Sequence, residues 1–348
     1  MSIPIEISNL KKQGYLATES NVKTIQHPYT NYTKVFLERK LNKITLQLTK
    51  DCNLKCHYCA YSNEHNERQR SHSPEYMTLE TAKKAIDFFC EHAVDSPDVN
   101  IGFYGGEVLL AFPLLQQVVE YSEKLFVGKP LTFNVTSNTT LFTDDIIKYF
   151  QDHNIKLMVS LDGPKDINDA NRVFHDGSGT YDVVMENIQR IKTVAPEYAK
   201  GISVNMVIDP INDFDCINEI CLDGAELDKI NVDGRIIDTD FGDKELEFSD
   251  GYTWKSEYQR FLAILAYINR FPKNEVSPLS EKNILTFIND INKIKSAAPL
   301  FNTDAPSGTC FVGKMRLFID DFLVGCNASV GEGMISSGVN SMAVGITF

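Results

Sequence analysis

From residue 43 onward the chain alternates short runs rich in β-branched and aromatic residues with stretches whose apolar residues recur at helical spacing, and this alternation leaves few folds open. The β-rich runs are KITLQLT (43–49), VNIGFYG (99–105), LTFNVTS (131–137), KLMVSLD (156–162), ISVNMVI (202–208) and KINVDGRII (229–237). Strands separated by helices in this way build βα units around a parallel sheet. Six such strands suffice for a barrel, closed or open.

The intervening helices carry their own start signals. Thr78 precedes Leu79, Ala82, Ile86 and Phe89 at helical spacing, with Glu80 in the first turn. Thr143 stands in the same relation to Asp144, Asp145, Ile146, Ile147 and Phe150. A threonine oxygen can accept from the unpaired N–H groups of a first turn, and an acid there favours the helix dipole. Further helices are predicted over 113–127, 181–194 and 212–222, then over 254–270 and 280–295 beyond an acidic stretch, DTDFGDKELEFSDG (238–251). Residues 315–326 read as a β-hairpin, MRLFI and FLVGC, turning at Asp320 and Asp321.

The chain's 348 residues exceed the roughly 200–250 that an α/β barrel fills as one unit, which suggests one large domain with an appendage. A formal charge of −13 supplies no basic surface for a phosphate backbone, so nucleic acid is excluded as a partner. No apolar run reaches the ~18 residues of a membrane span, and the opening MSIPIEISNLKKQGY lacks the apolar centre of a signal peptide. The expectation is a cytoplasmic protein with no membrane partner. In a reducing compartment eight cysteines argue for free thiols or metal ligands over disulfides. Cys90, Cys216 and Cys221, each among apolar residues of predicted helices, read as small buried hydrophobes.

Three cysteines are different. Cys52, Cys56 and Cys59 crowd one short loop, KDCNLKCHYCAYS, directly after the first strand. Thiolates suit zinc or iron–sulfur clusters, and a structural site of either kind takes four protein ligands. A zinc site completed by His57 is strained, because His57 directly follows Cys56. A plain electron carrier needs a fourth nearby cysteine, and the next is Cys90, inside a predicted helix. Three ligands suit a cubane cluster whose fourth iron is kept for a small molecule.

The run Cys52-x3-Cys56-x-Tyr58-Cys59 resembles the cluster motif of radical S-adenosylmethionine (radical SAM) enzymes, where an aromatic residue precedes the third cysteine. Further segments between residues 43 and 237 carry the likeness. Tyr104-Gly105-Gly106-Glu107 resembles the glycine-rich turn whose backbone approaches the methionine amino group of SAM; taken alone Glu107 reads as a first-turn acid, but its place one strand after the cysteine loop favours the cofactor role. VTSNTTLFT resembles a Thr-Asn-Gly turn, with Ser137 and Asn138 matching and Thr139 standing where glycine is usual. SLDGPKDINDANR resembles a segment of enzymes that modify peptides and proteins, including anaerobic sulfatase-maturating enzymes. By that likeness Ser160 meets the SAM ribose and Arg172 its carboxylate, while Asn168 replaces a common histidine. Asn205, in the fifth strand, and Tyr58 fall where the adenine is contacted.

The resemblance implies an α/β fold: a partial (βα)6 TIM-like barrel, a C-terminal helical segment, and an incomplete SPASM/twitch-like β-hairpin. The division expected is an N-terminal extension (1–40), the barrel (41–240), an acidic loop with helices (241–300), and a truncated SPASM/twitch-like region (301–348). It implies a [4Fe-4S] cluster and S-adenosylmethionine as cofactors, and a flavodoxin or ferredoxin-type electron donor. SGTCFVGKMRLFIDDFLVGC resembles the start of an auxiliary-cluster region, with Cys310 and Cys326 as candidate ligands; Asp321 replaces the usual turn glycine and no cysteine follows Cys326. Either the sequence is truncated there, or the auxiliary cluster is absent or borrows Cys216, Cys221 or other groups. The relatives so indicated act mostly on ribosomally made peptides, so the expected substrate is a precursor peptide, with thioether formation as the leading reaction. Sulfatase-maturase-like protein oxidation and a non-enzymatic, metal-stabilised binding module are the alternatives. Asp238 and Asp240, just past the sixth strand, are candidate proton acceptors, although a solvated loop is the favoured account of them.

Overall fold

The computed structural model describes residues 3–12, 24–25, 32–59, 72–222, 224–225, 227, 230–237, 246–295, 303–304 and 315–319. The strands are β1 (Thr24–Ile25), β2 (Leu41–Thr49), β3 (Val99–Gly105), β4 (Leu131–Ser137), β5 (Ile155–Ser160), β6 (Ser203–Ile208), β7 (Asn231–Ile236), β8 (Thr303–Asp304) and β9 (Met315–Ile319). The α-helices are α1 (Ile3–Lys12), α2 (Thr33–Arg39), α3 (Leu79–His92), α4 (Phe112–Leu125), α5 (Asp144–Asp152), α6 (Lys165–Asn171), α7 (Tyr181–Val194), α8 (Pro196–Ala199), α9 (Phe214–Asn218), α10 (Asp250–Tyr267) and α11 (Pro278–Lys295).

Strands β2 to β7 lie side by side in chain order, every neighbouring pair parallel. Such serial pairing requires a crossover after each strand, and right-handed crossovers put all the connecting helices on one face of the sheet. The sheet is a TIM-like barrel left open, since β7 pairs with β6 and does not meet β2. The edge of β2 is instead taken by β9, parallel to it, with Ile44 opposite Leu317. The sequence marked 315–319 as the first arm of a hairpin; it is a strand, but its described partner is β2, more than 260 positions earlier in the chain, and the second arm lies outside the described residues.

Register divides the residues of the sheet cleanly. One row, Leu46–Phe103–Val135–Leu157, runs across four strands and is buried throughout. It packs into the same core as Ala82, Ile86 and Phe89 of α3, Leu115 of α4, Ile147 and Phe150 of α5, and Ile188 and Ile191 of α7. The adjacent row, Thr45–Gly102–Asn134–Lys156, belongs to the opposite face. Thr45 and Asn134 are half-buried and Lys156 is exposed.

Local signals act as the sequence leads one to expect. Thr78 and Thr143 cap α3 and α5, accepting from the N–H groups of Thr81 and Ile146. Their caps secure helices whose apolar stripes already face the sheet, which is where most of their stability arises. Helix α7 is capped differently: Asp169 Oδ1 accepts from both Thr180 N and Tyr181 N at 2.8 Å, and Gly179 is required there because a Cβ would sit 2.2 Å from Asp169 Cγ. The expectation of three buried helical cysteines is corrected. Cys221 is buried, Cys90 is half-buried and Cys216 is exposed, because α9 turns Phe214, Ile217 and Asn218 inward and leaves Cys216 on its outer side.

Candidate active site at the strand ends

The C-terminal ends of β2, β3, β4 and β5 meet in one interlocked rim. After β2 the chain bends into the cysteine loop, and the turn after β3 is bonded to the base of that loop: Gly106 N donates to Thr49 O (3.0 Å) and Glu107 N to Asp51 O (2.8 Å). The glycines are forced by this approach. Gly105 has φ +142° and a Cβ on it would lie 2.2 Å from Thr49 O; one on Gly106 would lie 2.0 Å from Asp51 O. The loop's other side is stitched to the segment after α6, through Lys55 N to Val173 O, His57 N to Asn171 O, and His175 Nε2 to Cys52 O. His72 braces the exit, with Nδ1 2.8 Å from Lys50 O and Nε2 3.7 Å from Cys59 Sγ.

Glu107 is the hub of the rim. Its carboxylate is buried and accepts three donors: Leu109 N at 3.0 Å, Ser137 Oγ at 2.7 Å and Asn138 N at 2.8 Å. It therefore caps the short turn that follows β3 and clamps the end of β4. Burial pushes its carboxyl above the usual range, and the Leu109 and Asn138 N–H groups, the Ser137 hydroxyl and the charge of Arg172 pull it back. Asn138 extends the clamp, donating to Asn53 Oδ1 in the cysteine loop (2.9 Å), while Asn53 donates to Thr140 Oγ1 (2.8 Å). Thr139 sits at φ +58° and fully buried. That left-handed conformation is why glycine would be at ease here, and a β-branched residue is strained.

A second hub joins the cysteine loop to the β5 turn. The Tyr58 hydroxyl donates to Asp162 Oδ2 and accepts from Arg172 Nη1, both at 2.6 Å, so the phenol stands inside an ion pair whose partners are 3.9 Å apart. Asp162 Oδ1 also accepts from Val207 N of β6. Burial drives the Tyr58 phenol well above its ordinary value, keeping it neutral and able to donate. Arg172 is buried and its Nε–H has no partner among the described groups. Asn168, standing where a histidine was expected by likeness, is structural: its Oδ1 accepts from Asp162 N and its Nδ2 donates to Thr180 Oγ1.

Ser160 and Asn205 face one another across β5 and β6, on the same rim. Thus Cys52, Cys56, Cys59, Tyr58, Gly105, Gly106, Glu107, Ser137, Asn138, Ser160, Arg172 and Asn205 all lie at or beside adjoining strand ends. Asp238, Asp240, Cys310 and Cys326 lie outside the described residues. Sequence reasoning passed over Asn53, and gave Asp162 no role of its own within the SLDGP segment. The signal for Asp162 was its place immediately after a strand, where a carboxylate has no apolar reason to be buried.

The donor set fits a thiolate-held cluster. Cys52 is raised to about 12, mainly by burial, with a bond from Leu54 N opposing the rise and Glu107, Cys56 and Cys59 adding to it. Burial likewise raises Cys56, and the nearby Arg172 charge offsets part of this. A metal group would take these cysteines as thiolates, so loading the site would release their protons. Among the described residues, no three His, Cys, Asp or Glu side chains are gathered as one metal ion would require. A zinc ion ~2.3 Å from each sulfur needs that gathering, whereas a cubane takes each thiolate on a different iron.

Comparison with known proteins agrees. The family model described as the Radical SAM superfamily matches residues 46–222. The chain is 28% identical over 155 residues to a serine-type anaerobic sulfatase-maturating enzyme of Bacteroides thetaiotaomicron, covering 44% of this chain and 37% of that protein. It is 24% identical over 220 residues to the radical SAM cyclopropyl synthase TigE of Paramaledivibacter caminithermalis, covering 61% of this chain and 45% of that protein. The structure of native anSMEcpe with bound AdoMet superposes with a TM-score of 0.54 at 18% identity, over 68% of this chain and 63% of that one, a likeness of fold. The chain spans less than half the length of these curated relatives. Among the described residues no helix is long and apolar enough to cross a membrane.

Proposed function

Since the chain belongs to the radical SAM superfamily, whose cofactors are a [4Fe-4S] cluster and S-adenosylmethionine, we propose that it modifies a ribosomally synthesised peptide, forming a thioether crosslink at a cysteine of a precursor. The observation that carries the reading is the buried guanidinium of Arg172, with an Nε–H left unpartnered among the described groups, on the same rim as the three cysteines of the loop after β2. A fork of donors held in low dielectric fits a carboxylate, and AdoMet carries one.

When bound, the reduced cluster and AdoMet supply a 5′-deoxyadenosyl radical able to abstract a substrate hydrogen. The protein's part is binding and aim. Cys52, Cys56 and Cys59 would hold the cluster; Arg172 would take the carboxylate, Gly105 and Gly106 would let backbone approach the amino group, and Ser160, Asn205 and Tyr58 would serve the nucleoside. Tyr58, bonded to both Arg172 and Asp162, ties the cysteine loop to Arg172, a link that would hold the two cofactor sites in fixed relation. Ser137, Asn138 and Glu107 hold the rim rigid. A flavodoxin or ferredoxin-type protein would supply the electron. Asp238 or Asp240 would accept the proton released in crosslinking, and Cys310 and Cys326 would begin an auxiliary cluster.

Anaerobically reconstituted protein with dithionite and AdoMet should release 5′-deoxyadenosine, and Cys56→Ala should abolish it; product persisting in that variant rejects the cluster assignment. Coexpression with a small cysteine-containing peptide encoded beside the gene should yield a peptide lighter by two hydrogens whose cysteine no longer alkylates. An aldehyde that captures hydroxylamine would instead mark sulfatase-maturase-like oxidation.

A further inference from the structure

A parallel sheet covered on both faces reads as near-continuous apolar strands, but LTFNVTS and KITLQLT alternate strictly, and the structure shows what the polar positions do. They face away from the helices. Gly102, in the middle of β3, marks the centre of that open face: a Cβ there would lie 3.0 Å from Thr45 Oγ1 and 3.3 Å from Asn134 Nδ2, so both side chains lean over the glycine from the flanking strands. Gln47 follows Thr45 by two residues on β2 and so lies on the same face, one rung nearer the cysteine loop.

The hydrogen bonding there is incomplete. Gln47 is fully buried and neither its Oε1 nor its Nε2 has a partner among the described groups; Asn134 Oδ1 is buried and unpartnered as well. Buried polar groups in folded proteins are almost always paired, so an amide missing both its bonds on the same sheet face as another missing one is a specific feature. Thr45 and Asn134 are part-exposed while Gln47, one rung along, is enclosed, so engaging its amide requires that side chain to turn to another rotamer.

We infer that Gln47 and Asn134 form a carboxamide subsite, on the open face below the cofactor rim, that hydrogen-bonds a backbone amide of the peptide substrate. A carboxamide offers one acceptor and a donor pair, the complement of a peptide group's N–H and C=O. Neither residue carries charge, so the pair recognises backbone in preference to an ionised side chain. The inference rests on the peptide-modifying reading and deepens it by naming where main chain is gripped.

Two consequences separate this role from a structural one. First, replacing an unmet buried amide by an apolar group of similar shape removes a desolvation penalty, so Gln47→Leu should melt no lower than the parent. Second, peptide binding should suffer. The probe is the fluorescently labelled cysteine-containing peptide encoded beside the gene, titrated anaerobically without reductant against holoenzyme loaded with AdoMet. Gln47→Leu and, independently, Asn134→Ala should each weaken binding about tenfold or more, with AdoMet binding at the parent level. In a series of the same peptide N-methylated at one amide at a time, one position should weaken binding to the parent protein and not to Gln47→Leu.

Unchanged peptide affinity in both variants, with the peptide still modified by the parent enzyme, overturns the subsite and leaves the peptide reading standing. A lower melting point with lost AdoMet binding assigns Gln47 to the scaffold or the cofactor site and also overturns it. Failure of the parent enzyme to bind or modify the peptide overturns both.

Discussion

The two faces of the central sheet are built from neighbouring residues and do opposite work. On the helix side Leu46, Phe103, Val135 and Leu157 form a dry row locked into the main core; one position along each strand, Thr45, Gly102, Asn134 and Lys156 form a row outside that core among the described residues. In a filled α/β barrel the inner positions are bulky and apolar and contribute stability. Here the apolar packing described lies on the outer face, and the inner positions of these strands carry Thr45, Gln47 and Asn134 instead.

That contrast is broken or sharpened most strongly at adjoining residues of β4. Phe133 is buried against the helices and stacks with Phe103 at 6.1 Å between ring centroids, whereas Asn134 points the other way. Phe133→Ala should lose about 3–5 kcal/mol in denaturant unfolding, the sum of lost transfer energy and a cavity. Asn134→Ala should stay within about 1 kcal/mol of the parent, because it removes an acceptor that had no partner. Comparable losses at the two sites would mean that the open face is a second core.

The rim comes next in expected size. Glu107→Gln keeps shape but replaces one carboxylate oxygen by an NH2, which must then face one of the three donors that Leu109, Ser137 and Asn138 supply. A donor set against a donor in a buried site should cost about 2–4 kcal/mol. Hydrogen exchange should accelerate at residues 137–140 and 51–55, which the clamp joins through Asn138 and Asn53, and not along the helix-facing core. Exchange unchanged in the loop would separate Glu107 from the cysteine site.

Much of this was legible beforehand and some was not, for physical reasons. The strands and their flanking helices follow from local alternation and from threonine caps, so all six β-rich runs reappear within a few residues. The cysteine loop was legible because three thiols at such spacing have few other uses. The pairing of β9 with β2 was hidden, since a parallel partner so far away in sequence leaves no local mark; the hairpin reading took the nearest candidate instead. The Tyr58–Asp162–Arg172 hub was also hidden, because its members meet only after the sheet has formed. The polarity of the open face was present in the alternation of LTFNVTS, but its meaning depends on every helix lying on one side.

Thr139 probes the rim more gently, through a reversal of sign. At an ordinary position alanine is more stabilising than glycine by roughly 0.5–1 kcal/mol. At φ +58° that order should invert, since glycine sheds about 1–2 kcal/mol of left-handed strain that alanine keeps. Thr139→Gly also gives up a bond from Oγ1 to Asn138 O, so it should lie within about 1 kcal/mol of the parent and above Thr139→Ala. Paired melting curves decide the order; alanine on top would mean that the turn relaxes and is not held by the clamp.

The smallest effect is expected where charge, not apolar burial, joins elements of the helical side. Lys255 of α10 meets both carboxylate oxygens of Asp213 at 2.9 and 2.8 Å, and Asp213 also caps α9 by accepting from Asp215 N. Lys255 holds the Asp213 carboxyl below its usual range. A carboxyl lowered by folding contributes stability that is complete above its unfolded value, near ~3.9, and is lost as pH falls through the lower folded value. Asp213→Asn preserves the cap, asparagine being as good a cap as aspartate, and removes only the charge. The variant should therefore trail the parent slightly at neutral pH, converge with it in acid, and converge again at high salt, because exposed ion pairs are screened. A deficit that survives both acid and salt, or one approaching that of Phe133→Ala, would show that the helical side owes its stability to more than the apolar rows beneath it.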